Sequence, residues 1–216
     1  MSVKNEPRIE AYIGSSGSGK GVSLNARLKE LKPPRLLIWD PRNEYGKHAP
    51  AAASLSHLVG AFKHARGGPI KMRFVAGPDL PIEQAFAAVC KLAFAAGNLV
   101  FLAEELSDVT SASKAPPAWR QVITQGRHQA LHVMAAAQRP ALIDKTLLGN
   151  CTYVRCFGLR YREDRRAMAQ AMDVDEARVQ ALRTVKDARG VTIGYLERDF
   201  RNADEAAAGT IKLRAT

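Results

Sequence analysis

Short apolar runs alternate along the chain with longer segments of helical periodicity. Ile9, Ala11 and Ile13 alternate over five residues, which predicts a strand. Leu36–Asp40 (LLIWD) is a compact apolar run suited to a strand covered on both faces, and Ile70–Val75, Leu99–Glu105 (LVFLAEE), Leu131–Ala136 (LHVMAA), Thr152–Phe157 and Val191–Leu196 read as further strands. Helical spacing follows Lys20 (Val22, Leu24, Ala26, Leu28) and covers Leu55–Lys63. It recurs from Pro81 to about Ala95, after Pro116-Pro117 with Trp119, Val122 and Ile123 on one face, and over Tyr161–Met172 and Asp175–Leu182. Pro33-Pro34, Gly67-Gly68-Pro69 and Gly126 punctuate these segments. Strands alternating with helices predict an α/β fold, a mainly parallel central sheet with helices on both faces. A single domain, 1–216, is expected, with a core of about 9–196 and an Ala-rich, then basic, tail over 203–216.

In such sheets ligands bind beyond the carboxyl ends of the strands, and the chemistry-bearing residues fall there. The first strand runs into Gly14–Lys20 (GSSGSGK) and then a helix, the context of a phosphate-binding loop. Gly14, Gly17 and Gly19 allow the sharp turn, so that successive N–H groups of Ser15, Ser16, Ser18 and their neighbours point inward. The helix start at Gly21 and Val22 adds its positive dipole end, and Lys20 adds a mobile charge for the outer phosphates of ATP. The residue after the lysine is Gly21, where a Ser or Thr hydroxyl ordinarily meets Mg2+. Nucleotide binding therefore follows more directly than rapid hydrolysis. Leu99–Glu105 ends in adjacent carboxylates, Glu104 and Glu105, which alternation sends to opposite sides. One can face magnesium and the other an attacking water. Gln138, at the tip of a later strand, is placed to touch a γ-phosphate. Asp40 also follows a strand, so all these groups are expected on one rim.

Charge narrows the partners. The net charge of +11 favours a polyanion, nucleic acid before a membrane surface. The 46% hydrophobic and 25% charged residues are those of an ordinary globular chain. Cys90, Cys151 and Cys156 form no CxxC pair, which argues against a zinc site or disulfide framework and for reduced thiols in an intracellular protein. The start MSVKNEPR is not a signal peptide, and Ala85–Ala103 is too interrupted by Lys91, Gly97 and Asn98 to span a membrane.

With these residues in place, the chain resembles the FtsK/HerA superfamily of DNA-pumping ATPases. GSSGSGKGVSLNA (Gly14–Ala26), FLAEELSD (Phe101–Asp108) and GRHQALHVMAAAQRPALIDKTLLGN (Gly126–Asn150) carry the resemblance. IWDPRNEY (Ile38–Tyr45) and ARGVTIGYL (Ala188–Leu196) extend it. It implies a RecA-like P-loop NTPase fold of the ASCE type. By position, Lys20 would bind the β- and γ-phosphates, Glu104 would hold Mg2+, Glu105 would activate water and Gln138 would act as the γ-phosphate sensor. Arg127 is the best match for an arginine finger, with Arg120, Arg139 and Arg155 as rivals. Glu104 stands where the family has Asp; its longer arm is a candidate to fill the space left by Gly21.

The resemblance further implies a homo-hexamer that moves double-stranded DNA without sequence preference. Arg160, Arg162, Arg165 and Arg166, or the tail's Lys212 and Arg214, are the candidate phosphate contacts. The minimal chain looks like the genome-packaging ATPases of tailless, membrane-containing bacteriophages. That implies capsid or membrane packaging-vertex partners and a place in the host cytoplasm or with the virion. A filamentous-phage (Zot-type) assembly ATPase, a nucleotide-dependent DNA-binding scaffold with weak hydrolysis, and a small-molecule kinase are the alternatives. The kinase leaves Gln138 unexplained.

Overall fold

A computed structural model describes residues 6–78 and 80–214. The first five residues of the polar start and the last two of the basic tail lie outside them. The strands are β1 (Arg8–Ile13), β2 (Arg35–Trp39), β3 (Ile70–Phe74), β4 (Val100–Ala103), β5 (His132–Ala137), β6 (Tyr153–Phe157), β7 (Thr184–Asp187), β8 (Gly190–Asp199) and β9 (Ala207–Arg214). The helices are α1 (Lys20–Leu31), α2 (Leu55–Ala65), α3 (Ile82–Ala96), α4 (Pro117–Gln125), α5 (Lys145–Asn150), α6 (Arg162–Met172) and α7 (Glu176–Gln180).

Six strands in the order β3-β2-β4-β5-β1-β6 are parallel, so their carboxyl ends share one rim. β5 lies between β1 and β4, so the segment leaving its carboxyl end is held between the segments leaving those two strands. Beyond β6 the sheet turns antiparallel. Along one side of β8, Tyr195–Asp199 pair with β6 and Gly190–Ile193 pair with β7. β9 covers its other side from Gly190↔Arg214 to Glu197↔Ala207.

The two faces are unequally covered. Leu58 and Phe62 of α2, Phe86 of α3, Trp119 of α4, Leu147 of α5, Met168 of α6 and Val179 of α7 share one buried layer with Ile9, Leu37 and Phe101. On the other face α1, through Leu24 and Leu28, packs against Tyr12, Ile38, Leu102 and Met134, with Tyr45 and Ala49 alongside. Each large side chain withdrawn from water stabilises the fold by about 1.5–3 kcal/mol. The aromatic ladder Trp39, Phe86, Trp119, with centroids 5.2 and 5.5 Å apart, joins β2 to α3 and α4.

Three elements differ from expectation. Residues 207–214, expected as a tail, are strand β9, whose mostly exposed side chains leave little hydrophobic pattern. β7 is similarly exposed, and α5 is only six residues long.

Candidate nucleotide site

β1 delivers the glycine-rich loop, and its neighbours anchor it. The Gly14 N–H donates to the Ala137 carbonyl at 3.1 Å and the Ser15 N–H to that of Gly158 at 3.0 Å, tying the loop to the ends of β5 and β6. Gly17 (φ 71°) and Gly19 (φ 111°) occupy conformations that side chains disfavour. A Cβ at Gly19 would also stand 2.8 Å from Ile193 Cγ2 of β8, so clearance demands glycine as well. No side chain caps α1 and its first turn holds no acid, which leaves its N–H groups for an anion. Lys20 is buried and donates to the carbonyls of Gly14 (2.7 Å) and Ser15 (3.2 Å). Burial lowers its pKa, while the charges of Glu105, Glu104 and Glu44 hold it up.

β4 ends at Ala103, and the two carboxylates after it part company. Glu104 is buried and accepts the Tyr45 hydroxyl and, at 3.3 Å, the N–H of Glu105. Burial raises its pKa to about 7, with the Glu105 charge adding to the rise and the Tyr45 bond and Lys20 opposing it. Glu105 sits at φ 49°, turning the chain so that its Oε1 accepts from Gln138 Nε2 at 2.6 Å. Asp40, at the end of β2, does not face this group. It accepts the N–H groups of Glu44 (2.8 Å) and Tyr45 (3.0 Å) and pairs with Arg73 at 3.0 Å, which aims Tyr45 at Glu104. The expectation for Asp40 thus holds for its place on the rim, but its carboxylate organises a turn. Tyr45 and Arg73 were not singled out from the sequence; IWDPRNEY contains Tyr45, but only the folded turn shows what it touches.

Gly21 opens onto free space: a Cβ there meets nothing within 4 Å. Ser23 is engaged by Arg155 Nη1 at 2.9 Å, and Ser18 is buried without a partner among the described atoms. Among the described residues no group of three or more His, Cys, Asp or Glu side chains is set to hold a metal ion. Magnesium suits such a site nonetheless, because it takes one or two carboxylates and completes its shell with water and phosphate oxygens. Glu104, with Glu105 beside it, provides that hard-oxygen donor set.

The arginines separate by position. Arg127 follows α4 in a 3-10 turn, Gly126–Gln129, ahead of β5. It is exposed and lines a cleft of about 180 Å³ with Pro7, Arg8 and Asn150, at the amino ends of the strands. It does not join the loop, the acidic pair and Gln138. Arg139 is committed to buried Asp164 at 2.6 Å and lies over the Tyr161 ring, 3.9 Å from its centroid. Arg155 pairs with Glu197. Arg120 is exposed on α4. Of the α6 group, Arg165 donates to the Leu159 and Arg160 carbonyls (3.5 and 2.8 Å), and Arg162 and Arg166 share Glu176 (3.8 and 3.3 Å). Arg160 is exposed after β6.

A strand, a glycine-rich loop and a helix facing a strand-end acidic pair, with a polar side chain from the strand between them, define the fold of a P-loop nucleoside triphosphatase. No protein-family model matches the chain. It is similar to Protein P9 of Pseudoalteromonas phage PM2, 29% identical over 177 residues, covering 80% of this chain and 78% of that protein. Its structure is similar to that of the genome packaging NTPase B204 of Sulfolobus turreted icosahedral virus 2 in complex with ATP-gammaS. The TM-score there is 0.70 at 17% identity, over 96% of this chain and 98% of that one. The N-terminal domain of zonular occludens toxin from Neisseria meningitidis matches at a TM-score of 0.52 and 15% identity, over 96% and 95%.

Proposed function

We propose that this chain is an ATP-driven double-stranded DNA translocase that packages a viral genome. One observation carries the chemistry: Lys20, Glu104, Glu105 and Gln138 meet on one rim, with Gln138 bonded to Glu105. The likeness to a genome packaging NTPase over nearly the full length of both chains supports the biological role, and the net charge of +11 supports a polyanionic cargo.

ATP binding draws Lys20 from the Gly14 and Ser15 carbonyls onto the β- and γ-phosphates, while the loop N–H groups take the remaining oxygens. Magnesium neutralises phosphate charge when bound, and Glu104 is the residue that would hold it. Glu105 orients a water and takes its proton as the water oxygen attacks the γ-phosphorus. The bond from that phosphorus to the β–γ bridging oxygen breaks, ADP keeps the electron pair, and the proton passes to the released phosphate. A γ-phosphate that attracts the Gln138 amide frees Glu105 Oε1 for this task, so one side chain both senses the phosphate and releases the base. Arg127, some 20 Å away along six strand residues at about 3.3 Å each, cannot serve its own loop and fits a finger supplied to a neighbour in a ring. Sequence-independent binding of the duplex, a homo-hexamer, and recruitment by capsid or membrane vertex proteins in the host cytoplasm or virion belong to the same reading. No helix among the described residues is long and apolar enough to cross a membrane.

The test is ATP turnover by the full chain with and without double-stranded DNA, beside Lys20→Ala and Glu105→Gln. Turnover stimulated by DNA, absent without Lys20 and reduced about 10²–10⁴-fold without the Glu105 carboxylate, is the expected result. Tight ATP binding with no turnover under any DNA condition would instead favour the scaffold, the reading that the missing hydroxyl at Gly21 supports.

A further inference from the structure

Cations expected to meet DNA from α6 are in part spent within the fold: Arg165 braces a loop, and Arg162 and Arg166 share Glu176. A different set is unspent. At one end of the β7–β8–β9 ribbon, Arg214 lies opposite Gly190, Lys212 opposite Thr192 and Lys186 opposite Val191, and Arg189 occupies the turn between β7 and β8. All four are exposed, and among the described residues none forms an ion pair. The nearby carboxylate, Asp187, accepts the N–H groups of Arg189 (2.8 Å) and Gly190 (3.1 Å) and closes the turn.

Their cross-strand partners on β8, Val191, Thr192 and Gly190, are uncharged, so the cations make no pairing that the fold draws on. Cations on an outer strand do discourage pairing with other chains, which accounts for Lys186 on β7 and for Lys212 and Arg214 on β9 but not for Arg189 in a turn. The pleat sends Lys212 and Arg214 to one face of the ribbon and Lys186 to the other, so the cations surround its end, about 10 Å across three strands. Its base is firm, because β8 pairs with β6 from Tyr195 to Asp199. The same strand sets Ile193 against Gly19 of the phosphate-binding loop, so one element joins the cationic end to the nucleotide site.

We infer that the end of the β7–β8–β9 ribbon, carrying Lys186, Arg189, Lys212 and Arg214, is a docking surface for the phosphate backbone of double-stranded DNA. The inference rests on the translocase reading and names the element that grips the cargo.

The experiment measures binding of a random-sequence duplex across a salt series, and ATP turnover with and without it. It compares the full chain with the combined Lys186→Gln, Arg189→Gln, Lys212→Gln, Arg214→Gln variant and with an Arg162→Gln, Arg166→Gln control. For the ribbon variant the slope of log affinity against log salt shrinks by about 0.9 for each phosphate no longer neutralised. DNA stimulation disappears while basal turnover and melting temperature stay as in the unsubstituted chain. If that variant loses its cooperative melt, the turn pair Lys186→Gln, Arg189→Gln decides, with an expected change in slope of about 1.8. A duplex-stimulated chain whose ribbon variant keeps the full slope and stimulation overturns the ribbon assignment alone. Tighter binding of single strands than of duplex overturns the duplex assignment. A chain neither bound nor stimulated by DNA overturns the ribbon assignment and the translocase reading together.

Discussion

At the scale of single residues, the site turns on a buried acid. Glu104 has a folded-state pKa of about 7 against an ordinary 4.5, because burial, and then the Glu105 charge, disfavour its ionised form. The folded state therefore holds that proton more tightly than the unfolded chain does. The resulting stability is complete below about pH 4.5 and is lost as pH rises through about 7, on the order of 3 kcal/mol in all. Melts of nucleotide-free protein from pH 5 to 8 should fall with pH more steeply for the unsubstituted chain than for Glu104→Gln; parallel curves would rule this out. Tyr45→Phe keeps the buried ring but removes the donor to Glu104, costing about 1–3 kcal/mol at pH 8, where Glu104 is charged, by chemical denaturation. Gly21→Ser adds a hydroxyl where a Cβ meets nothing, so it should fold normally. Its nucleotide affinity should rise with magnesium present and stay the same with the metal chelated, as read by titration with a fluorescent ATP analogue.

At the scale of elements, strand order does what single residues cannot. Because β5 lies between β1 and β4, the residue just beyond its end, Gln138, reaches the Glu105 carboxylate that follows β4. Gln138→Ala leaves the loop and Lys20 in place, so ATP affinity should change little while single-turnover hydrolysis slows at least tenfold; equal losses in both would mean a merely structural role. The segment after Gln138 is itself pinned, since Asp164 of α6 holds Arg139 (2.6 Å) and the Ala141 N–H (3.1 Å). The strongly apolar strands and the long helices were legible in the chain within a residue or two. β9 and β7 were not, because a strand with exposed faces shows no alternation and is specified by the partner it pairs with.

At the scale of the whole molecule, the parallel sheet has two rims, and Arg127 stands on the other one from the phosphate-binding loop. If it completes a neighbour's site, Arg127→Ala and Glu105→Gln chains, each inactive alone, should regain DNA-stimulated turnover when mixed. Mixtures no more active than either parent would exclude that role. The coat of helices is uneven, α1 on one face and α2–α7 on the other. Beside α1 it leaves a polar cleft of about 330 Å³ lined by Glu10, Arg27, Arg155 and Glu197. Within it, burial works against ionised Glu10, but bonds from His132 and Arg27 outweigh it and bring its pKa to about 2.

The chain alone was sufficient for the loop, the acidic pair, the place of Gln138 at a strand tip and the alternating α/β plan. Each is a local matter: glycines at forced turns, carboxylates at strand ends, apolar spacing of two or 3.6 residues. The folded molecule was needed for the bond between Gln138 and Glu105, for Tyr45 on Glu104, for the spent arginines of α6 and for the cations gathered on the ribbon. These join residues tens of positions apart or depend on which neighbour a side chain meets. Pairing order and burial set such contacts, and neither is encoded in any one stretch of sequence.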